Sequence, residues 1–173
     1  MLKLLCPREA HRHLVDIDLG ALQDKGIEGL ILDLDNTLVA WDKREIAPEI
    51  RHWVEKAKAM GFKLCIASNS LAKRVVLLAD SLGLPYVAPA IKPRRTPFRK
   101  ALEILGTDVA NTAVIGDQMF TDVFGGNRLG LYTILTRPIS LQELPNTRLI
   151  RLVERRLLTY LEKHGYLNCS GVK

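Results

Sequence analysis

Asp33 and Asp35 stand one residue apart at the end of an apolar run, GLILDLDNTL from Gly29 to Leu38. A run this rich in Leu and Ile reads as a strand buried on both faces, and alternation along a strand puts side chains two apart on one side. Two carboxylates are therefore expected to meet at the strand's end, where their crowding asks for a cation. Three further stretches present polar residues at the ends of apolar runs. These are Ser68 and Asn69 in CIASNS, Lys92 in AIKPRR, and Asp117 with Asp122 shortly after it in AVIGDQMFTD. Brought together, carboxylates, one ammonium and a hydroxyl can transfer a phosphoryl group.

Each residue type has a place in that chemistry. Mg²⁺ takes oxygen ligands in octahedral geometry and keeps several waters, so Asp33, Asp117 and the backbone carbonyl of Asp35 would suffice to hold it. Asp33 can attack phosphorus to form an aspartyl-phosphate. Asp35 can protonate the departing oxygen and later take a proton from the hydrolytic water. Lys92 and the Ser68 hydroxyl would bind phosphoryl oxygens, with Gly116 and Asn69 shaping turns that let backbone N–H groups approach. Asp122 is expected to support the ligands from behind, the alternative being a helix residue that holds the loop.

The elements that must position these residues follow from periodicity. Apolar runs at 30–34, 63–67, 112–115 and 131–135 read as buried parallel strands, and helical spacing covers 48–60, 71–82, 96–105 and 120–129. Pro48 suits a first helical turn, while Gly61, Gly83, Gly106 and Gly130 suit helix ends. The order predicts an α/β fold, a doubly wound, mostly parallel Rossmann-like sheet that binds ligands beyond the carboxyl ends of its strands. With no internal repeat or linker, residues 1–173 read as a single domain. Its final helix, basic and amphipathic over 148–166, carries Ile150, Val153, Leu157, Tyr160 and Leu161 on one stripe. That helix is expected to dock on the sheet, its rival role being contact with anionic lipid.

Bulk properties limit the function without choosing it. With 173 residues, 47% of them hydrophobic and 25% charged, the chain reads as an ordinary globular protein. Its net charge of +6 favours anionic partners. The three cysteines Cys6, Cys65 and Cys169 are too scattered for a disulfide framework or a zinc site, which predicts a reducing, cytoplasmic setting. No window is apolar for long enough to span a membrane, so any membrane contact is expected to be peripheral. The four histidines, His11, His13, His52 and His164, have no ligand spacing.

DLDNT at Asp33, ASN at Ser68, IKP at Lys92 and GDQMFTD at Asp117 are, in order, the four motifs of the haloacid dehalogenase-like (HAD) phosphohydrolases, which residues 27–136 resemble. The resemblance implies that Asp33 is the nucleophile, Asp35 the acid/base and Mg²⁺ the cofactor. Aspartate at position 35 is similar to the phosphatases and mutases of the family. The short spans from Asp33 to Ser68 and from Ser68 to Lys92 leave no room for a sizeable cap domain, which disfavours a mutase. A narrower resemblance is to the YqeG-like branch of subfamily IIIA, on Cys6-Pro7, Gly26-Ile-Glu-Gly29, DLDNTLVAWD and IKPRRTPFRKAL. It implies a phosphatase that converts phosphatidylglycerophosphate to phosphatidylglycerol at the cytoplasmic membrane face. Arg94 and Arg95 would then reach an anionic part of the substrate, and Trp41 would touch it from a flap. Two alternatives stand beside this reading: a HAD phosphatase of protein or nucleic-acid phosphates, and a non-catalytic protein that binds RNA or an acidic partner. Against the last, aromatics for base stacking make up only 6% of the chain.

Overall fold

Leu30 and Leu32 face one hydrophobic core and Ile31 the other, which is why the run from Gly29 reads as continuously apolar. The same alternation sends Leu64 and Ile66 to the first core and Cys65 and Ala67 to the second. The computed structural model describes residues 2–140, 153–154, 156–161 and 163. Six strands make one sheet: β1 (Glu9–His11), β2 (Gly29–Leu32), β3 (Lys63–Ala67), β4 (Tyr86–Val87), β5 (Thr112–Gly116) and β6 (Tyr132–Thr136). All pairings are parallel, in the order β1-β6-β5-β2-β3-β4. The winding reverses between the adjacent strands β2 and β5, so a crevice opens at their carboxyl ends.

Helices α1 (Leu19–Asp24), α2 (Pro48–Ala59) and α3 (Ala72–Leu82) supply Leu22, Val54 and Leu78 to the first core. Helix α4 (Arg95–Leu105) packs Phe98, Ala101 and Leu102 into the second, and α5 (Phe124–Leu129) follows the fifth strand. Pro48 opens α2, as its missing N–H and fixed φ suit. Cys65 is fully buried and burial pushes its thiol up to about 12, so it is an inert core residue.

The doubly wound parallel sheet is as expected, with three local differences. The strand expected over 30–34 stops at Leu32, because the chain then curls: Thr37, Leu38 and Val39 all donate their N–H to the Leu34 carbonyl, and Asn36 takes a φ of 62°. The helix expected over 120–129 divides into a π-helical turn, Met119–Val123, and α5. Strands β1 and β4, with 3 and 2 residues, escape a periodicity argument because neither is long enough to alternate.

Much of the expected helix over 148–166 lies outside the described residues. Those that are described are helical, with Leu161 buried beside Met119 and with Leu157 and Leu158 packed against the pair. Glu154 is buried and accepts a hydrogen bond from the Phe120 N–H at 3.1 Å. Val153 and Tyr160, expected on the docked stripe, are exposed. The inward face is rotated so that it takes up Glu154, a polar residue that an apolar stripe cannot reveal. No helix among the described residues is long and apolar enough to cross a membrane.

Candidate active site

Register fixes the first two carboxylates. Leu32 lies opposite Ile115, and the Asp33 N–H donates to the Ile115 carbonyl at 2.9 Å, so Asp33 and Asp117 leave neighbouring strands side by side. The π-helical turn then swings Asp122 back toward them. Oxygens of Asp33, Asp117 and Asp122 lie within 4.8 Å of one another, and all three residues are buried. Asp122 thus lies against the other two carboxylates. It also holds the loop, the alternative reading of this residue, since its Oδ2 accepts from the Gln118 N–H and the Thr121 hydroxyl, both at 3.2 Å.

Lys92 reaches the cluster from the loop after β4. Its Nζ donates to Asp33 Oδ1 at 2.5 Å and to Asp122 Oδ1 at 2.6 Å. Burial opposes the charge on this ammonium, but the Asp122 and Asp33 carboxylates outweigh it and hold the pKa above its usual value. Asp33 is shifted upward as well, which for a carboxyl favours the neutral form. Burial drives its pKa well up, Lys92 pulls it down, and the Asp122 and Asp117 carboxylates push it up again. Three buried carboxylates around one point offer only hard oxygen donors, the set that suits Mg²⁺. The residues present therefore fit a divalent cation.

Asp35 does not share this point. Past Leu32 strand alternation no longer applies, and the Asp35 carboxylate turns to the start of α3, where Arg74 Nε donates to Oδ1 at 3.0 Å and the hydroxyl of Ser70, in the turn before the helix, donates to Oδ2. The expected meeting of Asp33 and Asp35 side chains is replaced by separate partners, Lys92 for Asp33 and Arg74 for Asp35. Arg74 also donates to the carbonyls of Lys43 at 2.7 Å and Ala40 at 3.1 Å, tying the Trp41 loop to the same anchor.

The remaining expected residues separate into two groups. Ser68 is buried at the crevice wall, and its Oγ accepts the Ser70 N–H at 3.1 Å. Asn69 spends its side chain on Lys92: Nδ2 donates to the Lys92 carbonyl at 3.2 Å and Oδ1 accepts the Lys92 N–H at 2.7 Å. It fastens one loop to the next. Trp41 lines the crevice, whereas Arg94 and Arg95 are exposed at the start of α4 and are not among its lining residues. The crevice holds about 520 Å³, with Gln118, Thr121 and Arg74 as polar walls that the motifs did not single out. Arg74 had one signal in the sequence: it falls in the first turn of the helix after the second strand, where a long side chain can reach back over the strand ends.

Gly116 is required by close approach. A Cβ there would lie 2.3 Å from Asp122 Cγ, so any larger residue displaces that carboxylate. Gly116→Ala is expected to lower turnover about a hundredfold through misplacement of the cluster, and to lower stability by about 1–3 kcal/mol through overpacking. Mg²⁺ titration of activity and urea unfolding check the two effects separately.

A parallel sheet with an acidic cluster and a lysine at its switch point is suited to phosphoryl-group chemistry. Residues 8–130 match the haloacid dehalogenase-like hydrolases, and the chain belongs to that family. It is 38% identical over 165 residues to the probable phosphatase YqeG of Bacillus subtilis, covering 95% of this chain and 96% of that protein. It is 29% identical over 170 residues to phosphatidylglycerophosphate phosphatase 1, chloroplastic/mitochondrial, of Arabidopsis thaliana. That alignment covers 93% of this chain and 48% of the plant protein, so the chain spans about half its length. Among solved structures, the cobalt-bound deoxy-D-mannose-octulosonate 8-phosphate phosphatase of Haemophilus influenzae superposes with a TM-score of 0.54 at 15% identity, over 65% of this chain and 69% of that one. At that identity the likeness is one of fold.

Proposed function

We propose that the protein is a Mg²⁺-dependent phosphatase that works through an aspartyl-phosphate on Asp33 and removes the terminal phosphate of phosphatidylglycerophosphate. The observation that carries the catalytic part is the convergence of Asp33, Asp117, Asp122 and Lys92 beyond adjacent strands. Asp33, Asp117 and the Asp35 backbone carbonyl would hold the cation, with Asp122 beside them, and when bound it would supply charge neutralisation at the phosphoryl oxygens.

An Asp33 carboxylate oxygen attacks phosphorus, the ester P–O bond breaks, and the departing alkoxide takes a proton from Asp35 across the crevice. Water then attacks the phosphorus of the aspartyl-phosphate while the Asp35 carboxylate takes its proton. The bond to Asp33 breaks, and inorganic phosphate leaves. Lys92 stabilises the charge on the phosphoryl oxygens, and the Ser68 hydroxyl donates to one of them. Gln118 and Thr121 add polar contacts at the wall.

The lipid substrate is supported by the likeness to the plant phosphatidylglycerophosphate phosphatase and by a crevice open enough for a bulky head group. Phosphate release from phosphatidylglycerophosphate in mixed micelles, with and without Mg²⁺ and beside a soluble aryl phosphate, tests both parts. Mg²⁺-dependent release that strongly prefers the lipid is the expected result. Cleavage of the aryl phosphate alone would remove the lipid assignment, and cleavage of neither would remove the catalytic one.

A further inference from the structure

Two exposed aliphatic side chains stand where the backbone favours a polar residue. Leu71 is the N-cap of α3 and is 83% exposed on the crevice rim, yet it offers no side-chain cap, a position where Ser or Asp is favoured. Ile91 is 54% exposed at a φ of 55°, a left-handed conformation in which a β-branched residue is strained and Asn is at ease. Neither position is explained by packing or by local backbone preference. The two loops are neighbours, because Asn69 is hydrogen-bonded to Lys92 at both backbone groups and the Ala90 N–H donates to the Ser68 carbonyl. Trp41, 36% exposed, stands at the same crevice.

Positive charge surrounds this apolar rim. Lys43 and Arg44 follow Trp41, Lys73 lies in the first turn of α3, and Arg94 and Arg95 follow Ile91, all of them exposed. Asp42 and Glu45 are the acidic residues interspersed among them. Isolated aliphatic side chains with a tryptophan and a basic surround suit an interface that is apolar below and anionic above.

We propose that this face, at the carboxyl ends of β2, β3 and β4, docks on an anionic lipid surface, with Leu71 and Ile91 entering the apolar boundary and the basic residues meeting the head groups. The proposal rests on the lipid-substrate reading, which it deepens: the crevice opens onto the surface that carries its substrate. It puts lipid contact on the strand-end loops and not on the 148–166 helix.

Vesicle flotation tests it without turnover, using phosphatidylcholine vesicles with and without phosphatidylglycerol. The wild-type protein is expected to float with anionic vesicles and to be released by salt. The double variant Leu71→Ser, Ile91→Asn is expected to partition at least roughly tenfold more weakly, from the loss of two apolar side chains. Its melting temperature should be equal or higher, because Ser caps α3 and Asn suits the left-handed backbone. The single variant Ile91→Asn should keep wild-type hydrolysis of a soluble aryl phosphate and hydrolyse vesicle-borne phosphatidylglycerophosphate at least roughly threefold more slowly.

Undiminished flotation of the double variant, or no flotation of the wild type, overturns the proposal. So does a wild-type dimer in sedimentation that the double variant dissolves, since the occupant is then a second copy. Failure of the substrate reading shows elsewhere: detergent-dispersed phosphatidylglycerophosphate, which needs no docking face, is then left uncleaved while the aryl phosphate is hydrolysed.

Discussion

Asp33→Asn is expected to cut phosphate release by more than about 10⁴-fold, because the amide removes the nucleophile of the proposed reaction and a cation ligand at once. The same variant is expected to stabilise the metal-free protein at pH 7. Burial and the Asp122 and Asp117 carboxylates raise the Asp33 pKa in the folded state, so the folded state binds the proton more tightly than the unfolded chain does. For a carboxyl shifted in this direction, stability is full below the unfolded value of 3.8 and falls as pH climbs toward the raised folded value. Asn has no proton to lose and avoids that fall. The difference in melting temperature between variant and wild type should therefore widen from pH 4 to pH 7, the variant being higher. Turnover within tenfold of wild type would take the nucleophile role from Asp33. A variant that melts lower at pH 7 would mean that the ion pair with Lys92 outweighs the crowding.

Why this cluster could be read in advance, and the rest of the site only in part, follows from what a motif encodes. Asp33 and Asp117 sit just beyond the ends of adjacent strands, and a parallel sheet brings strand ends together whatever the loops do, whereas Lys92 reaches them from the loop after β4. Asp35 lies past the end of β2, where the turn around Asn36 replaces strand alternation, so its direction depends on loop geometry and on Arg74. Asp122 reaches the Asp33 and Asp117 carboxylates through a π-helical turn, which carries one extra residue per turn and re-aims the side chain, so ordinary helical spacing does not foretell its place. Asn69 has the composition of a phosphate-binding turn, yet its amide is spent on the Lys92 backbone, a pairing that exists only once β3 and β4 are neighbours. The terminal stripe is rotated from its expected place because Glu154 takes an inward position through its bond to the Phe120 N–H.

Arg74→Ala is expected to lower kcat about a hundredfold while changing KM little, because it releases the acid/base of the proposed reaction from its place. Three N–H groups of one guanidinium hold the Asp35 carboxylate and the Lys43 and Ala40 carbonyls, so its loss frees both the carboxylate and the loop that carries Trp41. Lysine cannot restore this, since a compact ammonium lacks the planar fork that spans all three acceptors, and Arg74→Lys should stay within about threefold of the alanine variant. The leaving group separates positioning from a merely structural defect. An aryl phosphate departs as a weakly basic phenolate and needs little protonation, whereas an alkyl phosphate departs as a strongly basic alkoxide and depends on the acid. In the first step, read as the burst of alcohol or phenol release, Arg74→Ala and Asp35→Asn should therefore share one pattern, a large loss on alkyl substrates and a small one on aryl substrates. The double variant should be no worse than Asp35→Asn alone, because an anchor with nothing to hold has no further effect. Equal losses on both substrate types, or fully additive losses in the double variant, would show that Arg74 acts on the fold of the loop and not through Asp35.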